Sequence, residues 1–107
     1  MSCLTPHEPL ILFHVGTALA EGRDIKDAVQ GWWKINHVRA STYDLVLAKS
    51  SNRIVGAFRP SPGSWHQRDD GRWGFASVYA YDVWDDYVGK TVPKRYRNQA
   101  PFQYLEP

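Results

Sequence analysis

The chain has 107 residues, of which 43% are hydrophobic and 22% charged, and it carries a net charge of +2. That length fits a single domain, and the composition is ordinary for a globular chain. The small charge excludes a polycation, so any nucleic-acid surface must come from clustered cations, and the lone Cys3 excludes an intrachain disulfide or a cysteine-based zinc site.

Residues 1–9 contain two prolines and read as a flexible arm, leaving residues 10–107 as the domain. Residues 10–15 are apolar and β-prone, a first strand or a buried segment. Residues 16–22 suit a short helix stopped by Gly22. Asp24 is placed to cap the next helix. Apolar residues at Ile25, Ala28, Val29 and Trp32 make a helical stripe, which predicts the main helix, ending near residues 31–33. Asn36 suits the cap of a minor helix over residues 37–40.

Residues 43–48 read as a buried strand, Ser50, Ser51 and Asn52 as a turn, and residues 53–58 as the return strand of a hairpin. Residues 60–71 are loop-like, with Trp65 inside them. Residues 72–82 alternate and predict one long strand with a bulge at Gly74. A helical turn ended by Gly89, an irregular stretch over residues 93–101 and a closing strand over residues 102–105 complete the chain. The class is α+β: a small, strongly curved, mostly antiparallel sheet or pseudo-barrel with one main helix and a minor helix.

Residues 72–97 interleave rings, cations and glycines, a combination suited to stacking on bases and meeting phosphates. Strand parity puts Trp73 and Phe75 on one face, toward a core, and Arg72 with Gly74 on the other, where a ligand backbone has room to approach. Lys90, Lys94, Arg95 and Arg97 form an acid-free basic run that contains Tyr96. The backbone N–H groups of Gly89 and Lys90 are candidates to join it in an anion site. Trp33 either packs at the sheet edge or offers a stacking platform with Lys34 beside it. Trp65 either folds over the core or forms a movable wall of a pocket.

The four histidines lack metal-ligand spacing, and no nucleophile motif or phosphate loop is present. No catalytic residue, metal or cofactor is therefore expected. The longest apolar runs, such as residues 10–13, reach four residues, too short to span a membrane. No secretory signal is evident, and a cytoplasmic location is expected.

Gly31-Trp32-Trp33-Lys34-Ile35, the hairpin ending in Ile54-Val55-Gly56-Ala57-Phe58, Arg72-Trp73-Gly74-Phe75, Tyr87-Val88-Gly89-Lys90 and Pro101-Phe102-Gln103-Tyr104-Leu105 follow one another in order. The pattern, over about residues 24 to 105, resembles an uncharacterised family of small bacterial and phage domains. It is distantly similar to PUA-like folds, the superfamily of ASCH, EVE and YTH domains. The resemblance implies a pseudo-barrel with a nucleic-acid-binding cleft, sometimes one that accepts a modified base. The Asn98-Gln99-Ala100-Pro101 stretch is shorter than the family pattern.

The leading expectation is a DNA- or RNA-binding module. Trp33, Trp65 and Tyr96 would stack on or wall a base, and Lys34, Arg39, Arg72, Lys90, Lys94, Arg95 and Arg97 would meet phosphates. The alternative is a protein-interaction module, such as a phage-encoded inhibitor or a toxin–antitoxin component, since many Trp and Tyr suit an interface equally. A small nuclease using His66 or His37 is a third reading.

Overall fold

A computed structural model describes residues 2–98 and 100–107; Met1 and Gln99, which belong to the expected arm and the expected irregular stretch, lie outside the described residues. In chain order the elements are β1 (Leu10–His14), α1 (Gly16–Ala20), α2 (Ile25–Val29), α3 (His37–Ala40), β2 (Val46–Ser50) and β3 (Arg53–Pro60). They continue with β4 (His66–Gln67), β5 (Trp73–Gly74), β6 (Ser77–Tyr79), α4 (Trp84–Tyr87), a 3-10 turn (Lys94–Tyr96) and β7 (Phe102–Leu105).

Five strands form one sheet in the order β6-β3-β2-β1-β7, and β4 with β5 forms a separate ribbon. Among the named strands β1 and β2 run parallel, and the other pairings are antiparallel. The two ends of the five-stranded sheet are β6 and β7, so it is an open sheet and not a closed barrel.

The sheet is buried on both faces, which explains why β1 is apolar without alternation. Ile11 and Phe13 of β1 join Val46 and Ala48 of β2, Phe58 of β3 and Phe75 in one core. Leu10 and Leu12 join Leu45, Leu47, Ile54, Ala57, Tyr87 and Val92 in the other. Helices α1 to α3 and the β4-β5 ribbon cover the first face. Residues 2–9, α4 and the chain around the 3-10 turn cover the second. The segment expected to be a loose arm is fastened there: Leu4 is 1% exposed, its N–H donates to the Thr91 carbonyl at 2.8 Å, and the His7 N–H donates to the Tyr87 hydroxyl at 2.9 Å.

The expected main helix is short. Asp24 caps α2 as its position implies, accepting from the N–H groups of Lys26 and Asp27. The helix stops at Val29 because tertiary partners claim the next turn. The Gln30 carbonyl accepts from Phe75 N–H at 3.0 Å, and Trp33 and Trp73 exchange a reciprocal pair of backbone bonds at 2.9 and 2.8 Å. Gln30 Oε1 also accepts from the Ser77 N–H and hydroxyl. Gly31, Trp32 and Trp33 add little helical propensity to resist this.

The long strand expected over residues 72–82 is divided between the two sheets, with β5 pairing β4 and β6 pairing β3. Gly74 is the point of close approach, but to this chain itself. A Cβ there would lie 2.8 Å from the Gln30 carbonyl oxygen and 2.9 Å from the Trp32 ring. Gly74→Ala is therefore expected to lower stability by roughly 1–3 kcal/mol, as overpacking does, seen as a lower urea midpoint at unchanged slope. An unchanged midpoint would show that the backbone of residue 30 yields freely.

Candidate functional site

A cleft lies on the helical face of the sheet. It has a volume of about 480 Å³ and is lined by His37, Ser41, Tyr43, Asp44, residues 60–63 and Trp65. One wall is built by α3 and the turn after it. Asn36 caps α3 by accepting from the N–H groups of Val38 and Arg39, which sets His37 at the first helical position. The His37 imidazole stacks on Trp73 at 3.7 Å between centroids and 11° between planes. Tyr43 is buried, and its hydroxyl donates to Glu106 at 2.8 Å. Asp44 beside it is exposed, and its carbonyl accepts from Arg59.

The other wall is the end of β3 and the loop beyond it. Ser61 N–H donates to the Ala76 carbonyl at 2.8 Å. The Ser64 hydroxyl also bonds both the N–H and the carbonyl of Ala76. These bonds pin the loop and hold Trp65 half-buried against Phe75, 4.6 Å between ring centroids. The cleft thus has ring-bearing residues on both walls, Asp44, Ser41 and Ser61 beside them, and no Lys or Arg among its described lining residues.

The expected residues fall in different places. Of the three aromatic candidates, only Trp65 lines the cleft. Trp33 turns inward: its ring lies 4.5 Å from that of Phe13, and its indole N–H donates to the Val29 carbonyl at 2.9 Å. Tyr96 packs against the core on the opposite face of the sheet.

None of the seven expected cations lines the cleft. Lys34 is exposed just before α3. Arg39 sits on α3, with its guanidinium 3.8 Å from the center of the Tyr104 ring; burial pushes the Tyr104 hydroxyl up, against the opposing Arg39 charge. Arg72 faces Asp70 at 3.7 Å. Lys90, Lys94, Arg95 and Arg97 follow the chain to the other face, with Arg95 against the Tyr96 ring. The expected anion site at the Gly89 turn is closed, because the Gly89 N–H donates to Ile54 and the Lys90 N–H to Tyr87. Gly89 is needed there for its φ of 91°.

Tyr43, Asp44 and Ser41 were missed as cleft residues, and His37 entered only through the nuclease reading. The cap at Asn36 was a visible signal for the helix, but the stacking of His37 on Trp73 joins residues too far apart in sequence to be read from it.

Near the ribbon, Arg68 pairs with Asp70 and lies over the Trp32 ring at 5.0 Å. The Arg68 hydrogen bond, then the Arg72 backbone N–H, lowers the Asp70 carboxyl to about 2. A depressed carboxyl stabilises the fold above its ordinary range, and that contribution fades as pH falls toward 2. An NMR titration should place the Asp70 midpoint near 2, and Arg68→Gln should return it toward the usual carboxylate range near ~4. A midpoint unmoved by that substitution would remove Arg68 as the cause.

No protein-family model matches the chain, and no curated protein and no solved structure matches it. Among the described residues, no group of three or more His, Cys, Asp and Glu is placed to hold a metal ion, and no helix is long and apolar enough to cross a membrane.

Proposed function

We propose that this chain is a nucleic-acid-binding module that accepts an unstacked base, including a modified one, between α3 and the Trp65 loop. The observation that carries the reading is the convergence of His37, Tyr43 and Trp65 on one cleft whose lining also includes Asp44. Flat walls suit the face of a base, and a carboxylate with hydroxyls suits the N–H groups of a base edge. The volume lies within the roughly 300–1,000 Å³ typical of small-molecule sites. Lys34, just before α3, and Arg39, on it, are the nearest of the expected cations to the cleft in sequence. They are assigned to flanking phosphates, with Arg72, Lys90, Lys94, Arg95 and Arg97 left to more distant parts of a strand. The PUA-like relationship belongs to this proposal.

Tryptophan fluorescence titration with single-stranded and duplex DNA and RNA at two salt concentrations tests it. Two phosphate contacts on a single strand imply a log–log salt slope of about −1.4. Absence of quenching at low salt, or binding insensitive to salt, overturns the reading.

A second reading, a protein-interaction module, has its own observation. Tyr79 and Tyr81 stack at 5.5 Å at the β6 edge of the sheet with Trp84 beside them, and Val78 and Tyr81 are 57% and 76% exposed. Exposed rings on an unpaired edge favour a partner strand or surface. Recovery of one stoichiometric protein, resistant to nuclease and lost in Tyr81→Ser, would support it.

A further inference from the structure

On the face of the sheet away from the Tyr43–Trp65 cleft lies a cavity of about 240 Å³, lined by His14, Lys49, Ser51, Asn52, Arg97 and Asn98. Its floor comes from the two parallel strands. His14 and Lys49 are register partners at the ends of β1 and β2. On this face β1 presents Leu10 and Leu12 and then His14, while β2 continues Leu45 and Leu47 with Lys49. Both strands thus change from buried leucine to a basic group at the same level. Crevices outside the carboxyl ends of parallel strands are frequent ligand positions.

Lys49 is only 3% exposed. Arg97 is brought in by the chain leaving the 3-10 turn, where its Nε–H donates to the Val92 carbonyl at 2.9 Å, leaving its terminal nitrogens for another acceptor. Asn52, Asn98 and Ser51 add amide and hydroxyl donors.

Among the described residues no acid lines this cavity, and no ion pair involves His14, Lys49 or Arg97. Arg59, by contrast, is bound by both Glu8 and Asp82, at 2.8 and 2.7 Å. Among the described residues no buried side-chain nitrogen lacks a hydrogen-bond partner, so the Lys49 ammonium, which makes none, keeps contact with the cavity's solvent and presents an unneutralised charge there. Burial pushes Lys49 down from the usual lysine range, and burial followed by the Lys49 charge pushes His14 down. An anion seated between them supplies the missing charge to both.

We propose that His14, Lys49 and Arg97 form a binding site for a phosphate-class oxyanion, with Asn52, Asn98 and Ser51 completing its hydrogen bonds. A fork-shaped guanidinium and a point-like ammonium are the two side chains best matched to phosphate oxygens. The shared chemistry is a terminal phosphate, carried by a small molecule or by the 5′ end of a strand.

The test uses the full chain, ¹⁵N-labelled, titrated with sulfate, inorganic phosphate, pyrophosphate and one oligonucleotide with or without a 5′-phosphate. Saturable amide shifts at residues 14, 49 and 97 with pyrophosphate are expected, and Arg97→Gln and Lys49→Met should each weaken binding at least about tenfold, the scale of one lost charge-assisted contact. Saturation by pyrophosphate identifies a small-molecule phosphate. Saturation only by the 5′-phosphorylated strand identifies a nucleic-acid end, and either result supports the site. No saturable shift with any probe at millimolar concentration, or binding unchanged in Arg97→Gln, overturns it. Arg97 is exposed, so that variant decides the question even if Lys49→Met fails to fold.

Discussion

Phe13→Ala lowers the stability of the domain by about 3–5 kcal/mol, the cost of truncating a fully buried phenylalanine. Phe13 is 0% exposed, and its ring meets Trp33, Phe75 and Phe102 at 4.5, 5.9 and 6.0 Å. It lies on β1, which pairs with β2 on one side and β7 on the other, so the cavity opens where three segments depend on the same ring. Domains of this kind hold about 5–15 kcal/mol in total, and the variant is expected to be largely unfolded at moderate urea. Chemical denaturation followed by tryptophan fluorescence measures it, with Trp33 reporting from direct contact. A loss below about 1 kcal/mol, far under the range for such truncations, would mean that the core collapses around the missing ring and that the Phe13–Trp33 packing is not what holds residues 29–35 to the sheet.

Trp65→Ala is expected to weaken oligonucleotide binding by about 5- to 150-fold, the equivalent of roughly 1–3 kcal/mol for one stacked base. Trp65 is half-buried and rests on Phe75 at 4.6 Å, so the substitution also costs stability. Trp65→Phe separates the two effects, because it keeps an aromatic wall and should restore most of the binding. Trp33→Phe is the contrasting variant. It removes the indole bond to the Val29 carbonyl at a cost of about 0.5–1.5 kcal/mol of stability and leaves affinity unchanged. The opposite pattern, with affinity lost in Trp33→Phe and kept in Trp65→Ala, would move the site away from the cleft.

These two tryptophans also show how far the site was legible in the sequence. Both carried the same expectation, since a tryptophan beside a lysine and a tryptophan in a polar loop each suit a stacking role. What separates them is the partner on the other side of the ring: Phe13 from β1 for Trp33, and open cleft for one side of Trp65. The basic run after Gly89 was legible as a charge cluster, but not its location. The intervening β6 edge and α4 carry it to the face opposite the aromatic cleft, so the rings and cations that interleave along the chain separate in space. Lys49 gave no functional signal in sequence, because a lysine at the end of an apolar strand ordinarily reaches solvent.

By itself the sequence determined the local features. Asp24 and Asn36 cap their helices, Ser50, Ser51 and Asn52 turn the hairpin, and Gly89 takes its positive φ. Each rests on side chains or backbone preferences within a few residues of the feature they produce. Only the tertiary structure decided that α2 stops at Val29, that residues 72–82 divide between two sheets, that His37 finds Trp73 and that His14 meets Lys49 and Arg97. Those outcomes depend on hydrogen bonds and packing between separate segments, from neighbouring strands to residues about 80 apart, where a buried backbone group must find its partner wherever the fold supplies one.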